Sequence, residues 1–230
     1  MYHYLEEELQ QLTNKILKMG SLVEEQLILA VKALFDSNLE YAQLVIERDD
    51  KVDKYDIKID KLCQRIFALT QPVAIDLRII LSALKTNNDL ERMGDIAVNI
   101  AERAEPLQSH LQILRTVGMD LMAEKVQLLV SKTLDSIVNN DHDMALSVIK
   151  ADDVIDKLER DIFDKLIDLM EKDSSTIRPC AHCITLLRYF ERIADHATNI
   201  AEEVVFLVDS KIIKHRNNLD GFDSNTENII

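Results

Sequence analysis

Residues 90–102 read LERMGDIAVNIAE and residues 190–202 read FERIADHATNIAE. One pattern therefore occurs twice, one hundred positions apart. Glu91, Arg92, Asp95, Asn99 and Glu102 return as Glu191, Arg192, Asp195, Asn199 and Glu202, while the apolar residues between them drift. Upstream, residues 37–56 align with 140–159 at an offset of 103. There Ala42, Val45, Ile46, Asp49, Asp50, Asp53 and Lys54 recur as Ala145, Val148, Ile149, Asp152, Asp153, Asp156 and Lys157. The change of offset places a short deletion in the loop that reads QPVAIDLR in the first copy and KDSSTIRP in the second. The chain is a tandem duplication, and internal repetition of this kind constrains the fold to two like units.

Each unit carries three helical stripes. Leu5, Leu9, Leu12, Ile16, Met19, Val23, Leu27, Ala30 and Leu34 advance by steps of three and four, the apolar face of one long helix. A turn at Asp36-Ser37-Asn38 ends it. Val52, Tyr55, Ile59, Leu62, Ile66 and Leu69 mark a second helix, which a Gln71-Pro72 break closes. Ile79, Ala83, Thr86, Leu90, Met93, Ala97, Ile100 and Ala104 mark a third. Pro106 and the polar stretch after it separate the copies, and residues 110–138, 142–171 and 179–209 repeat the plan. Helices of roughly 30 residues are about 45 Å long, and short loops make neighbours antiparallel. Only four glycines and three prolines interrupt 230 residues, so the expected fold is all-α. It comprises a first three-helix bundle over 1–105, a second over 106–209, and a frayed, aperiodic tail over 210–230.

A formal charge of −14 excludes attraction to nucleic acid or to an anionic membrane surface and suits cations or basic partner patches. Three cysteines form no disulfide framework, which points to a reducing cytoplasm. No apolar run is long enough to span a bilayer, and the acidic MYHYLEEELQ start lacks the apolar core of an export signal.

The acids are placed where a soluble bundle has little use for them. On the third helix Asn88, Glu91, Asp95, Asn99 and Glu102 share one face beside the apolar stripe. The sixth helix repeats Glu191, Asp195, Asn199 and Glu202. The stripe of the second helix calls for an apolar residue near position 49 and the chain supplies Asp49, followed by Asp53. Asp152 and Asp156 repeat this in the fifth helix. Four acid-x-x-x-acid pairs result, each with like charges one turn apart, which destabilises an isolated helix. Two carboxylates about 4 Å apart repel by roughly 4 kcal/mol at an effective dielectric near 20, a cost that protonation or a cation relieves. One such pair reads as a solvated acidic face. Four at repeat-equivalent places favour oxygen ligation of hard ions such as Mg, Mn, Ca or Fe, with Zn less typical.

With these residues in place, the chain resembles the PhoU family, regulators that accompany bacterial phosphate-specific transporters. The resemblance covers almost the whole chain and rests on the two three-helix repeats, the DLR after a Pro-containing loop, and the ERMGDIAVNIAE and ERIADHATNIAE segments. The family's Glu/Asp-x-x-x-Asp motifs match at Asp49/Asp53, Glu91/Asp95, Asp152/Asp156 and Glu191/Asp195. The resemblance implies two bundles related by pseudo-two-fold symmetry and metal on the acidic motifs: multinuclear iron or zinc, or single Mg or Mn ions. It also implies a cytoplasmic homodimer that represses the phosphate-starvation response through a sensor histidine kinase and restrains the transporter ATPase subunit. The second copy departs from the family pattern, having IRPCAH where the first has Pro72 to Arg78.

Other features have plainer readings. Cys180-Ala-His-Cys183 stands alone, without the second pair a zinc site needs or the βαβ setting of a redox motif, and reads as small residues packed at a helix entry. His196 is a possible nitrogen ligand, but its counterpart is Ile96, which favours packing. Arg92 and Arg192 are placed to pair with Asp95 and Asp195. Asn99 and Asn199 are neutral oxygens one turn beyond the acids, suited to metal ligation or to support of the ligands. No nucleophile–base pair or Gly-rich phosphate loop appears. The expected function is a non-catalytic, metal-binding adaptor in phosphate signalling. The alternative is a carboxylate-bridged metalloenzyme or metal store, against which stands the lack of the Glu-x-x-His of ferritin-like bundles. A plain structural dimeriser fits poorly with acids in the apolar stripes.

Overall fold

The computed structural model describes residues 2–209; the tail expected to fray lies outside them. The described chain is helical throughout: α1 (Tyr2–Phe35), α2 (Leu39–Leu69), α3 (Ile75–Glu102), α4 (Ala104–Leu107), α5 (Leu111–Val117), α6 (Met119–Asn139), α7 (His142–Lys172) and α8 (Ile177–Asp209). The helices α1, α2 and α3 form one antiparallel bundle, and α6, α7 and α8 the other.

The turns show the duplication in the backbone. Ser37 and Asn140, related by the offset of 103, both adopt positive φ, at 53° and 48°. Each is followed by an N-cap that satisfies an orphan helix donor. Asn38 accepts from the Glu40 N–H and Asp141 from the Met144 N–H, both at 2.9 Å.

Two details differ from the sequence reading. The fourth long helix is broken at Gly118, which takes φ +91° between α5 and α6, a left-handed conformation that glycine adopts without a Cβ clash. The stretch after the first bundle is also structured: α4 carries Pro106, tolerated in a first turn, and a 3-10 turn, Gln108–His110, follows.

The bundles join through α3 against α8 and α1 against α6. Each helix at the junction thus meets its own repeat equivalent, as a pseudo-two-fold axis requires. Polar contacts repeat the relation at an offset of 100. Ser82 on α3 donates to Glu203 on α8 at 2.9 Å, and the equivalent pair, His182 on α8 and Arg103 at the C-cap of α3, approaches to 3.3 Å. The buried apolar residues of both bundles form one continuous core.

Candidate metal centre

The α2–α3 seam brings together the acids of the first copy. Asp49 lies half-buried between the buried Val45 and Val52, because the apolar period of α2 turns that position inward. Burial raises its carboxyl above the ordinary carboxylate range; the Gln26 amide opposes this, and Asp53, Asp95 and Asp50 raise it further. Glu91 on α3 is raised by burial and by Asp95, against Arg92, and then by Asp56 and Asp53. The carboxylates of α2 and α3 therefore face one another. Arg92 lies 3.5 Å from Glu91 and 3.7 Å from Asp95, a local counter-charge within α3.

The α7–α8 seam repeats the arrangement. Asp152 is buried between Val148 and Ile155. Glu191 is raised by burial and by Asp195, against Arg188, and then by Glu159 and Asp156. Arg188 pairs with Glu159 at 3.3 Å. Asp53 and Asp195 are exposed at the outer margins, with the rest of each set deeper in the seam.

The asparagines are engaged elsewhere. The Asn99 amide donates to the Asp95 backbone carbonyl at 2.8 Å. Asn199 donates to Asp89 of α3 at 3.4 Å, across the bundle junction. His196 also turns to Asp89, its Nδ1 at 2.8 Å, rather than to the Glu191/Asp195 pair or to apolar packing. Among the described residues no three carboxylate, imidazole or thiolate groups close on a single point. The acids run along each seam as facing rows.

Several members of the seams escape a motif search. Asp49, Asp53, Asp56 and Asp60 continue along one face of α2 by steps of four, three and four, and Glu159 is the repeat equivalent of Asp56. Asn87 on α3 donates to Asp56 at 2.6 Å and to Asp60 at 3.3 Å, and Asp56 is itself raised by burial and by Asp60. From α1, Gln26 donates to Asp49 Oδ1 at 3.2 Å and to the Val45 carbonyl at 3.4 Å. The signal for Gln26 was a polar residue breaking the apolar stripe between Val23 and Leu27.

Two observations test whether the first seam fits a cation. The Gln26 Oε1 atom is buried with no hydrogen-bond partner. Beside it Gly94 lets the helices approach closely, since an added Cβ would crowd Val52 Cγ1 at 3.2 Å and stand 3.4 Å from that oxygen. With a donor set of carboxylate and amide oxygens, this suits hard ions. The paired cysteines do not: Cys180 and Cys183 are fully buried, and burial pushes the Cys183 thiol up to about 12, so neither presents a thiolate.

Comparisons with known proteins agree with this architecture. The PhoU domain family model matches residues 16–104 and again 119–204. The chain is 37% identical over 211 residues to a phosphate-specific transport system accessory protein PhoU homolog of Zymomonas mobilis, covering 92% of this chain and 89% of that protein. It is 39% identical over 209 residues to the homolog of Pseudomonas aeruginosa, covering 90% and 86%. The crystal structure of PhoU from Pseudomonas aeruginosa superposes with a TM-score of 0.83 at 38% identity, covering 90% of this chain and 99% of that one. The phosphate transport system regulatory protein PhoU from Streptococcus pneumoniae superposes at 0.82 with 27% identity, covering 92% and 100%.

Proposed function

The chain belongs to the PhoU family, and from that membership we propose that it is a non-catalytic, metal-binding regulator of phosphate uptake and phosphate-starvation signalling. In this reading it acts as a cytoplasmic adaptor, as a homodimer, between the ATPase subunit of a phosphate transporter and a sensor histidine kinase. The observation that carries the metal part is the matched pair of acidic seams, in which burial and neighbouring carboxylates hold Asp49, Glu91 and Glu191 above their ordinary values. Asp49, Asp53, Glu91 and Asp95 would hold ions in the first bundle, and Asp152, Asp156, Glu191 and Asp195 in the second. Asn99 stands one turn beyond the first set as a neutral oxygen donor, whereas Asn199 turns to Asp89 across the junction. Bound Fe, Zn, Mn or Mg would cancel the repulsion and tie two helices together. The described residues contain no helix long and apolar enough to cross a membrane.

The adaptor part draws on the relatives' description as transport-system accessory and regulatory proteins. It also draws on the α2–α3 connection, where Leu69, Val73, Ile75 and Leu77 all stand exposed, Val73 at 68%. Apolar residues gathered at a loop tip mark docking surfaces.

Elemental analysis of protein purified without chelator, wild type beside Asp95→Ala/Asp195→Ala, tests the metal reading. Stoichiometric metal in the wild type, lost in the double variant, is the expected result. A wild type that folds, carries no metal and resists reloading leaves the seams as solvated acidic faces.

A further inference from the structure

The two seams are duplicates, yet they differ at two matched positions that face the acids. Gln26 on α1 corresponds to Leu129 on α6, and Gly94 on α3 to Ala194 on α8. Both members of the first pair are buried, at 2% and 3% exposure. We propose that the first seam is the better-furnished cation site, with the Gln26 amide oxygen as a neutral ligand over Gly94. The second seam holds its ions with carboxylates and water alone.

The orientation of the Gln26 amide follows from its partners. Its NH2 group faces two acceptors, the Val45 carbonyl and Asp49 Oδ1; the flipped amide would set oxygen against oxygen at both. That leaves Oε1 buried and without a donor, an unfavourable state in the absence of a partner. A Cβ built on Gly94 would lie 3.2 Å from Val52 Cγ1, 3.4 Å from Gln26 Oε1 and 3.5 Å from Asp49 Oδ1. The two oxygens therefore converge on the Gly94 backbone beside the Val52 methyl, on the stretch of α3 that carries Glu91 and Asp95. In the second bundle Ala194 has a Cβ of its own at that place, and Leu129 has no oxygen to offer.

Asn87 follows the same logic two turns earlier on α3. It donates to Asp56, its own Oδ1 is buried and unpaired, and its repeat equivalent is the buried Leu187. The first copy has thus kept two inward-facing amides where the second has leucines. Hard cations take amide oxygens readily, and a neutral donor raises coordination number without adding repulsion between carboxylates.

This inference rests on the cation-binding reading, and Eu3+ luminescence separates the two. Lifetimes in light and heavy water count the water molecules on a bound Eu3+ ion. The full chain is used with one seam disabled: Glu191→Ala/Asp195→Ala leaves the first, Glu91→Ala/Asp95→Ala the second. The first seam is expected to hold its ion with about one water fewer than the second, one amide oxygen replacing one water. Gln26→Met in the first seam should restore that water and weaken binding about tenfold, or 1.4 kcal/mol. Leu129→Gln/Ala194→Gly in the second should remove one, and this arm carries the test if Gln26→Met fails to fold. A Gln26→Met protein that melts earlier but keeps the wild-type water count gives Gln26 a structural role and overturns the proposal. Failure of Eu3+ to bind either seam overturns the cation reading itself, and this inference with it.

Discussion

At the scale of single residues the governing quantity is the position of the seam carboxyls. Asp49, Asp56, Glu91 and Glu191 are all held above their ordinary values, burial first and neighbouring carboxylates after it. An acid whose folded-state pKa lies above its unfolded one binds more protons in the fold, so stability falls as pH rises through that window. In chelator, the thermal midpoint should therefore rise as pH is lowered from 7 towards the ordinary carboxylate values, where the penalty is fully relieved. Asp49→Asn keeps the oxygen that Gln26 bonds to and removes the charge. It should raise the midpoint at pH 7 and flatten the dependence, and a midpoint that drops on acidification through pH 5 contradicts the account. Added Mn2+ at pH 7 should produce a similar rise in the wild type, since a cation and a proton relieve the same repulsion. Asp49 and Asp152 were legible in the sequence because an acid in an apolar stripe breaks a period. The hydrogen bonds of Gln26 and Asn87 were not, because a lone amide in a stripe does not reveal which neighbouring helix it meets.

At the scale of elements, the joints carry as much information as the helices. The matched turns at Ser37 and Asn140, with their caps Asn38 and Asp141, keep α1–α2 and α6–α7 in the same antiparallel register. Gly118 has no such counterpart. It splits what periodicity alone reads as a single helix, because an isolated glycine in an apolar-periodic run gives no sign of whether the chain continues through it. Its φ of +91° with nothing near its Cβ position makes the cost of a side chain there conformational rather than steric with respect to other residues. Gly118→Ala should lower stability by about 1–2 kcal/mol, the usual penalty of a left-handed L-residue. Denaturant unfolding should show a lower midpoint at unchanged slope. An unaltered midpoint would mean that α5 and α6 can straighten into one helix at no cost.

At the scale of the whole molecule, the question is whether two duplicated bundles behave as one body. The repeat offsets predict two similar units but do not say which faces meet, so the α3–α8 junction emerges only from the three-dimensional packing. Its polar contacts are unequal across the axis. Glu203, nearly buried, accepts from Ser82 and pairs with Lys85 at 2.6 Å, while its equivalent end carries Arg103 and His182. Between them Asp89 receives His196 and Asn199. Removing the Glu203 carboxylate leaves the buried Ser82 hydroxyl without its acceptor and Lys85 without its charge partner. Lys85 is exposed enough for water to replace much of that pairing, so Glu203→Ala should cost about 1–3 kcal/mol, mostly through the unmade hydrogen bond. Because the apolar core runs through both bundles without a gap, that loss should lower one transition rather than split it. Calorimetry of the wild type and of Glu203→Ala should then give equal calorimetric and van't Hoff enthalpies in both, with the variant melting earlier. Two resolved transitions in the wild type would mean that the bundles are independent and that cation binding in one seam has no rigid path to the other. A single transition that divides only in Glu203→Ala would make this carboxylate the link on which the coupling of the two bundles depends.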